Sequence, residues 1–160
     1  MKHKFSRRFG GIVMLALAIC CIVLVLHFGS MNSTDAGEII SGLSDRLLWV
    51  LGLENLKGST DGSYELIARK LMHFLCMASV GFTLYSAVIH FRLRPLNNLA
   101  IIVPLSVAVA VVEELLQLFS PGRTCKLYDM VLNSLGACFG ISMAMLLYFI
   151  IKHIVQIRKR

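Results

Sequence analysis

A chain of 160 residues has room for one compact unit, and 57% hydrophobic residues with a mean hydropathy of +0.75 exclude an ordinary soluble domain. The formal net charge is +7, from 16 Lys and Arg against 9 Asp and Glu. No aromatic ladder interleaves the basic residues, so the charge speaks for membrane orientation and anionic lipid headgroups, and nucleic acid is excluded as a partner.

The first apolar run, residues 10–28, follows Lys2, Lys4, Arg7 and Arg8. It approaches the roughly 20 residues that a helix needs to cross a bilayer. A signal peptide also starts with basic residues, but this core is too long and no small-x-small cleavage site follows it. The sequence Leu-Ala-Ile-Cys before Cys21 resembles a lipoprotein cleavage box, with bulky Ile19 where a small residue is needed. The expectation is an uncleaved helix.

Residues 29–65 form a loop with Asp35, Glu38, Asp45, Glu54, Asp61 and Glu65 against only Arg46 and Lys57. Inside it, Ile39, Leu43, Leu47, Trp49 and Leu53 recur near helical spacing. The stretch is too short and too charged to span, so an amphipathic helix lying at a membrane interface is predicted. Residues 57–63 read as a connector. Three more runs follow at 66–90, 98–119 and 129–151, without the alternation of barrel strands.

The expected fold is therefore an all-α integral membrane protein, a four-transmembrane-helix bundle forming a single domain over residues 1–160. Arg92 and Arg94 lie between the second and third runs, and Lys152, Arg158, Lys159 and Arg160 end the chain. With the basic N-terminal tail, they place both termini in the cytoplasm and loop 29–65 outside.

On that topology, polar residues gather at one depth. Arg69, Lys70 and His73 open the second span on one helical face. Glu113, Glu114 and Gln117 close the third. Arg123 follows in a short loop, and Asp129 and Asn133 open the fourth. At about 1.5 Å per residue, His73 and Glu114 lie only a turn or two below the outer boundary.

Plainer accounts compete. Arg69, Lys70 and Glu65 are placed to snorkel, and His73 to serve as a packing histidine. Glu113 or Glu114 can form an internal pair with Arg123 or Lys70. Asp129 suits the positive end of a helix macrodipole. Gly136 and Gly140 give a small-xxx-small face for close helix packing, and Pro104 is expected to bend the third span. Of the five cysteines, Cys20, Cys21, Cys76 and Cys138 fall in apolar runs and Cys125 in a loop, where a thiol is open to reaction. No C-x-x-C pair occurs, and neither a metal nor a cofactor is expected.

These residues resemble the VanZ-like family of bacterial membrane proteins. The family's strongest signature reads here as Glu113-Glu114-x-x-Gln117, Phe119-Ser120-Pro121-Gly122-Arg123, Asp129, Asn133 and Gly136-Ala137-x-x-Gly140. A second match is Arg69-Lys70-x-x-His73-Phe74 with Gly81, and a weaker one is the Ser-rich stretch STDAGEIISGLSDRL. Together they cover about residues 33–141. The resemblance implies a multi-pass protein of the bacterial plasma membrane with a cell-envelope role, associated with resistance to glycopeptides, teicoplanin in particular. Two positions depart from the pattern. Cys76-Met77 stands where relatives often have Glu-Tyr, and Leu116 where a His often precedes the Gln.

Three functions follow. The first is binding of an anionic envelope ligand by Arg69, Lys70 and Arg123, with Glu113, Glu114, Asp129 and Asn133 ordering those cations. Candidate ligands are a lipid-linked wall precursor, a phospholipid headgroup or the lipoglycopeptide itself. The second is an intramembrane hydrolase or transferase acting on a lipid-linked or prenylated substrate, with Glu114 and His73 as base and partner or as metal ligands. The Glu pair resembles the Glu-Glu-x-x-x-Arg of glutamic-type intramembrane proteases, but Leu118 holds the Arg position. Losing an acid and a His relative to the family weighs against catalysis. The third is a scaffold whose polar cluster merely locks the helices.

Overall fold

The computed structural model describes residues 2–52, 63–90 and 95–158. Residues 57–62 of the expected connector lie outside the described residues, as do Leu53, Glu54, Arg92, Arg94, Lys159 and Arg160. Among the described residues every regular element is a helix. They are α1 (Lys2–Ser30), α2 (Ser33–Leu51), α3 (Ser63–His90), α4 (Pro95–Gln117) and α5 (Leu127–Ile157). Four carry stretches long and apolar enough to cross a membrane: Arg8–Ser30, Arg69–His90, Asn98–Gln117 and Leu127–Ile157. The helices run longer than the apolar stretches alone, because a helix continues through its polar ends while hydropathy reports only the greasy part.

The loop expected between the first two spans is mostly α2. Its start lies at Asn32, whose Oδ1 accepts from the Asp35 backbone N–H at 3.0 Å and from the Thr34 hydroxyl at 3.1 Å. That is N-cap chemistry, and it begins the helix ahead of its first large apolar residue. Gly52 stops α2 with φ +68, a left-handed residue just past the last turn.

Helix α3 is the hub, packed chiefly against α5 and then α1, while α2 touches it only lightly. Lipid offers no hydrophobic drive between apolar helices, so close backbone approach must supply the cohesion. Small residues allow it. A Cβ on Gly136 would run into the Phe74 carbonyl, one on Gly140 into the Ala78 carbonyl, and one on Gly81 into that of Ala137. The order of these contacts makes α3 and α5 parallel. Gly10 at the start of α1 meets His90 at the end of α3, so α1 runs the other way.

The buried core consists of Met77, Val80, Leu84 and Tyr85 of α3, with Ile102, Val109 and Ala110 of α4, Ala137, Ile141 and Ala144 of α5, and Ala18 and Val25 of α1. Large side chains such as Ile12, Leu24, Leu146 and Ile150 face outward. An apolar exterior with small residues at the closest helix contact suits a bilayer as solvent. Tyr85, Asn98 and Ser106 are buried with side-chain polar atoms that lack hydrogen-bond partners.

Candidate functional site

The alternating helix directions bring the end of α1, the start of α3, the end of α4 and the start of α5 to one end of the bundle. The loop of residues 118–126 closes over that end. Its Ser120 hydroxyl donates to the Gly29 carbonyl at 3.0 Å, and Arg123 Nη1 donates to the Phe28 carbonyl at 2.9 Å. Both carbonyls belong to the last turn of α1, where backbone acceptors lack partners within the helix. The Ser33 N–H donates to the Pro121 carbonyl at 3.1 Å, which ties the start of α2 to the same loop. Gly122 has φ +73, and a Cβ there would sit 3.1 Å from the Ser33 Cβ. The Ser-Pro-Gly-Arg stretch is thus a latch across the α1–α2 junction.

Beneath the latch lie two carboxylates, Glu113 at 1% and Glu114 at 0% exposure. Glu113 accepts from Asn133 Nδ2 at 2.6 Å and from Gln117 Nε2 at 2.9 Å, with His73 Nδ1 at 3.4 Å. Glu114 accepts from Gln117 Nε2 at 3.1 Å and from the backbone N–H of Lys126 at 2.7 Å. Lys126 is the N-cap of α5, so Glu114 also places negative charge at the positive end of that helix. The internal pair with Arg123 or Lys70 envisaged for these acids is not formed; neutral donors hold them instead. Glu113 has accepted two good bonds already, and His73 stands at the limit of hydrogen-bond reach. These bonds tie α4 to α5 and to the loop that precedes it.

Lys70 does not snorkel alone. It pairs with Asp129 across α3 and α5, and its ammonium lies 5.3 Å from the Tyr128 ring centroid. Asp129 therefore does more than complement its own helix. Arg69 on α3 and Lys126 at the loop's end have no carboxylate partner among the described residues. Burial lowers the Arg123 guanidinium from its ordinary value, and the negative charge of Glu113 opposes that. The Cys125 thiol is raised by desolvation and then by nearby Glu114, which makes it a poorer nucleophile.

These groups surround a cavity of about 300 Å³. Its wall takes in Arg69, Lys70, His73, Glu114, Gln117, Arg123, Asp129 and Asn133, with Glu113 directly behind Asn133. Gly122, Thr124 and Lys126 complete it, and sequence reasoning had not singled out Thr124 or Lys126. The available signal was the basic residue three places after Arg123, in a loop too short to leave the site. Asn133 is 1% exposed, and while its Nδ2 bonds Glu113, its Oδ1 accepts nothing. Gly136 and Gly140 lie deeper in the bundle, in the α3–α5 contact. Among the described residues no three His, Cys, Asp or Glu side chains gather to hold a metal ion.

The sequence profile of the VanZ/LLP1 family matches residues 12–150. The match spans most of the chain, and the protein belongs to that family as a multi-pass membrane protein. No curated protein and no solved structure matches the chain.

Proposed function

We propose that this VanZ/LLP1 protein forms one domain over residues 1–160 in the bacterial plasma membrane and binds an anionic cell-envelope ligand in the cavity at the latch end of its bundle. The basic residues of both termini and of the loop after α3 orient that end outward. Arg69 and Lys126 hold a phosphate or carboxylate, and Arg123 adds a third positive charge from the latch. The Asn133 Oδ1 accepts from a ligand hydroxyl or amide. Lipid-linked wall precursors, phospholipid headgroups and lipoglycopeptides carry both features, which links the site to glycopeptide resistance of the teicoplanin type.

One observation carries this reading. Four cationic side chains line the cavity against two carboxylates, and among the described residues Arg69 and Lys126 have no carboxylate partner, beside a buried acceptor that is itself unpartnered. Buried polar atoms in proteins are normally satisfied, so a free acceptor in the wall of a charged cavity marks a place for a donor from outside the chain. A simple helix lock would have neutralised itself.

The test is a resistance assay on Arg69→Ala combined with Lys126→Ala. Among the described residues neither side chain makes a hydrogen bond or ion pair, so membrane abundance should stay at the wild-type level while resistance to teicoplanin falls to that of cells lacking the protein. Undiminished resistance would sink the proposal.

A further inference from the structure

A second cavity adjoins the first. It is a small slot of about 50 Å³ between α1, α2 and α3, with walls from Phe28, Ile40, Leu43, Met72 and Cys76. His73 and Arg123 line both cavities, so the slot opens where the charged cavity ends. Its other walls are apolar, and α2 forms one side. That helix packs loosely on the bundle and leaves Leu43 at 43% and Trp49 at 71% exposure. A cationic cavity continuous with a hydrocarbon-lined slot matches the two halves of one kind of molecule.

Resting on the anion site proposed above, we infer that the ligand is a membrane amphiphile with a phosphate headgroup and a slender hydrocarbon chain, and that its chain lies in the slot beneath α2. The headgroup sits against Arg69 and Lys126, and the chain passes His73 toward Met72 and Cys76. The small volume leaves room for one chain at most, which favours a prenyl or single acyl chain over a pair of chains side by side. Loose α2 is the side through which the chain enters from the bilayer. A free phosphate would use the charged cavity alone and leave the slot empty.

The experiment compares methyl, butyl and hexyl phosphate binding to the full-length protein in lipid nanodiscs. All three stay monomeric in water, so partition into aggregates does not mimic binding. Affinity should rise about fourfold for each methylene that enters the slot. Leu43→Trp and, separately, Ile39→Trp fill the slot from the α2 side at half-exposed positions, which spares the helix core. Each should keep the methyl phosphate affinity and flatten the rise with chain length. A hexyl phosphate carrying a terminal diazirine should label peptides containing Met72 and Cys76.

A flat series in the wild-type protein overturns the chain site and leaves the anion site standing. So does a series equally steep in both Trp variants, or labelling confined to the outer faces of α4 and α5. Absence of saturable methyl phosphate binding overturns the anion site itself, and the chain site with it.

Discussion

Glu113 accepts from Asn133 on α5 and from Gln117 on its own helix, and at 1% exposure no water can take over either bond. Replacing it with Leu strands both donors, at about 1–3 kcal/mol for each buried group left unpaired. Glu113→Gln keeps a carbonyl that still accepts one of them. Thermal unfolding of the purified protein should therefore show a large loss of stability for Glu113→Leu and a smaller one for Glu113→Gln; equal losses would point to packing. That carboxylates lay below the membrane boundary was legible in the sequence, because charge in hydrocarbon is costly enough to notice. Their partners were not. A search for charge complements finds Arg123 and Lys70, whereas the donors in place are two amides and a backbone N–H, and hydropathy is silent on such groups. Lys126 escaped notice because its importance comes from the absence of a partner, which only neighbours in space reveal.

Between helices, the spacing of Gly136 and Gly140 announced a close contact but not with whom. The answer required Gly81, which faces Ala137 from the opposite helix, so that both surfaces contribute a small residue. Gly140→Ala should lower the thermal stability by about 1–3 kcal/mol, since the added methyl drives into a carbonyl that cannot retreat without moving α3. Gly42 in α2 supplies the contrast. A Cβ there meets nothing within 4 Å, so Gly42→Ala should be neutral or stabilising by up to about 1 kcal/mol through helix propensity. The same thermal scan reads both, and equal losses at the two positions would refute the parallel α3–α5 contact. The amphipathic spacing of α2 is readable in the sequence, but its start is not. The apolar period begins at Ile39, while the hydrogen-bonding that begins the helix resides in the polar residues before it, Asn32 to Asp35.

Taken whole, the molecule was legible as four long apolar helices with polar residues crowded at one end. Length and hydropathy alone carry that information. The latch was not. The bonds from Ser120 and Arg123 to the end of α1 join residues about ninety apart, and the latch spends part of Arg123's hydrogen-bonding capacity on the fold. The orientation can be read on intact cells. With Cys125 replaced by Ser, cysteine placed at exposed Thr124 should react with a membrane-impermeant maleimide added outside, and cysteine at exposed Arg158 only after permeabilisation; the reverse pattern would put the cavity in the cytoplasm. The anion site itself is tested most directly by equilibrium dialysis of methyl phosphate against the purified wild-type protein and the variant carrying both Arg69→Ala and Lys126→Ala. The account predicts one saturable site in the wild type, weakened by salt because the contact is charged, and absent from the variant. Equal uptake by the two proteins, or no saturable uptake by the wild type, would contradict it.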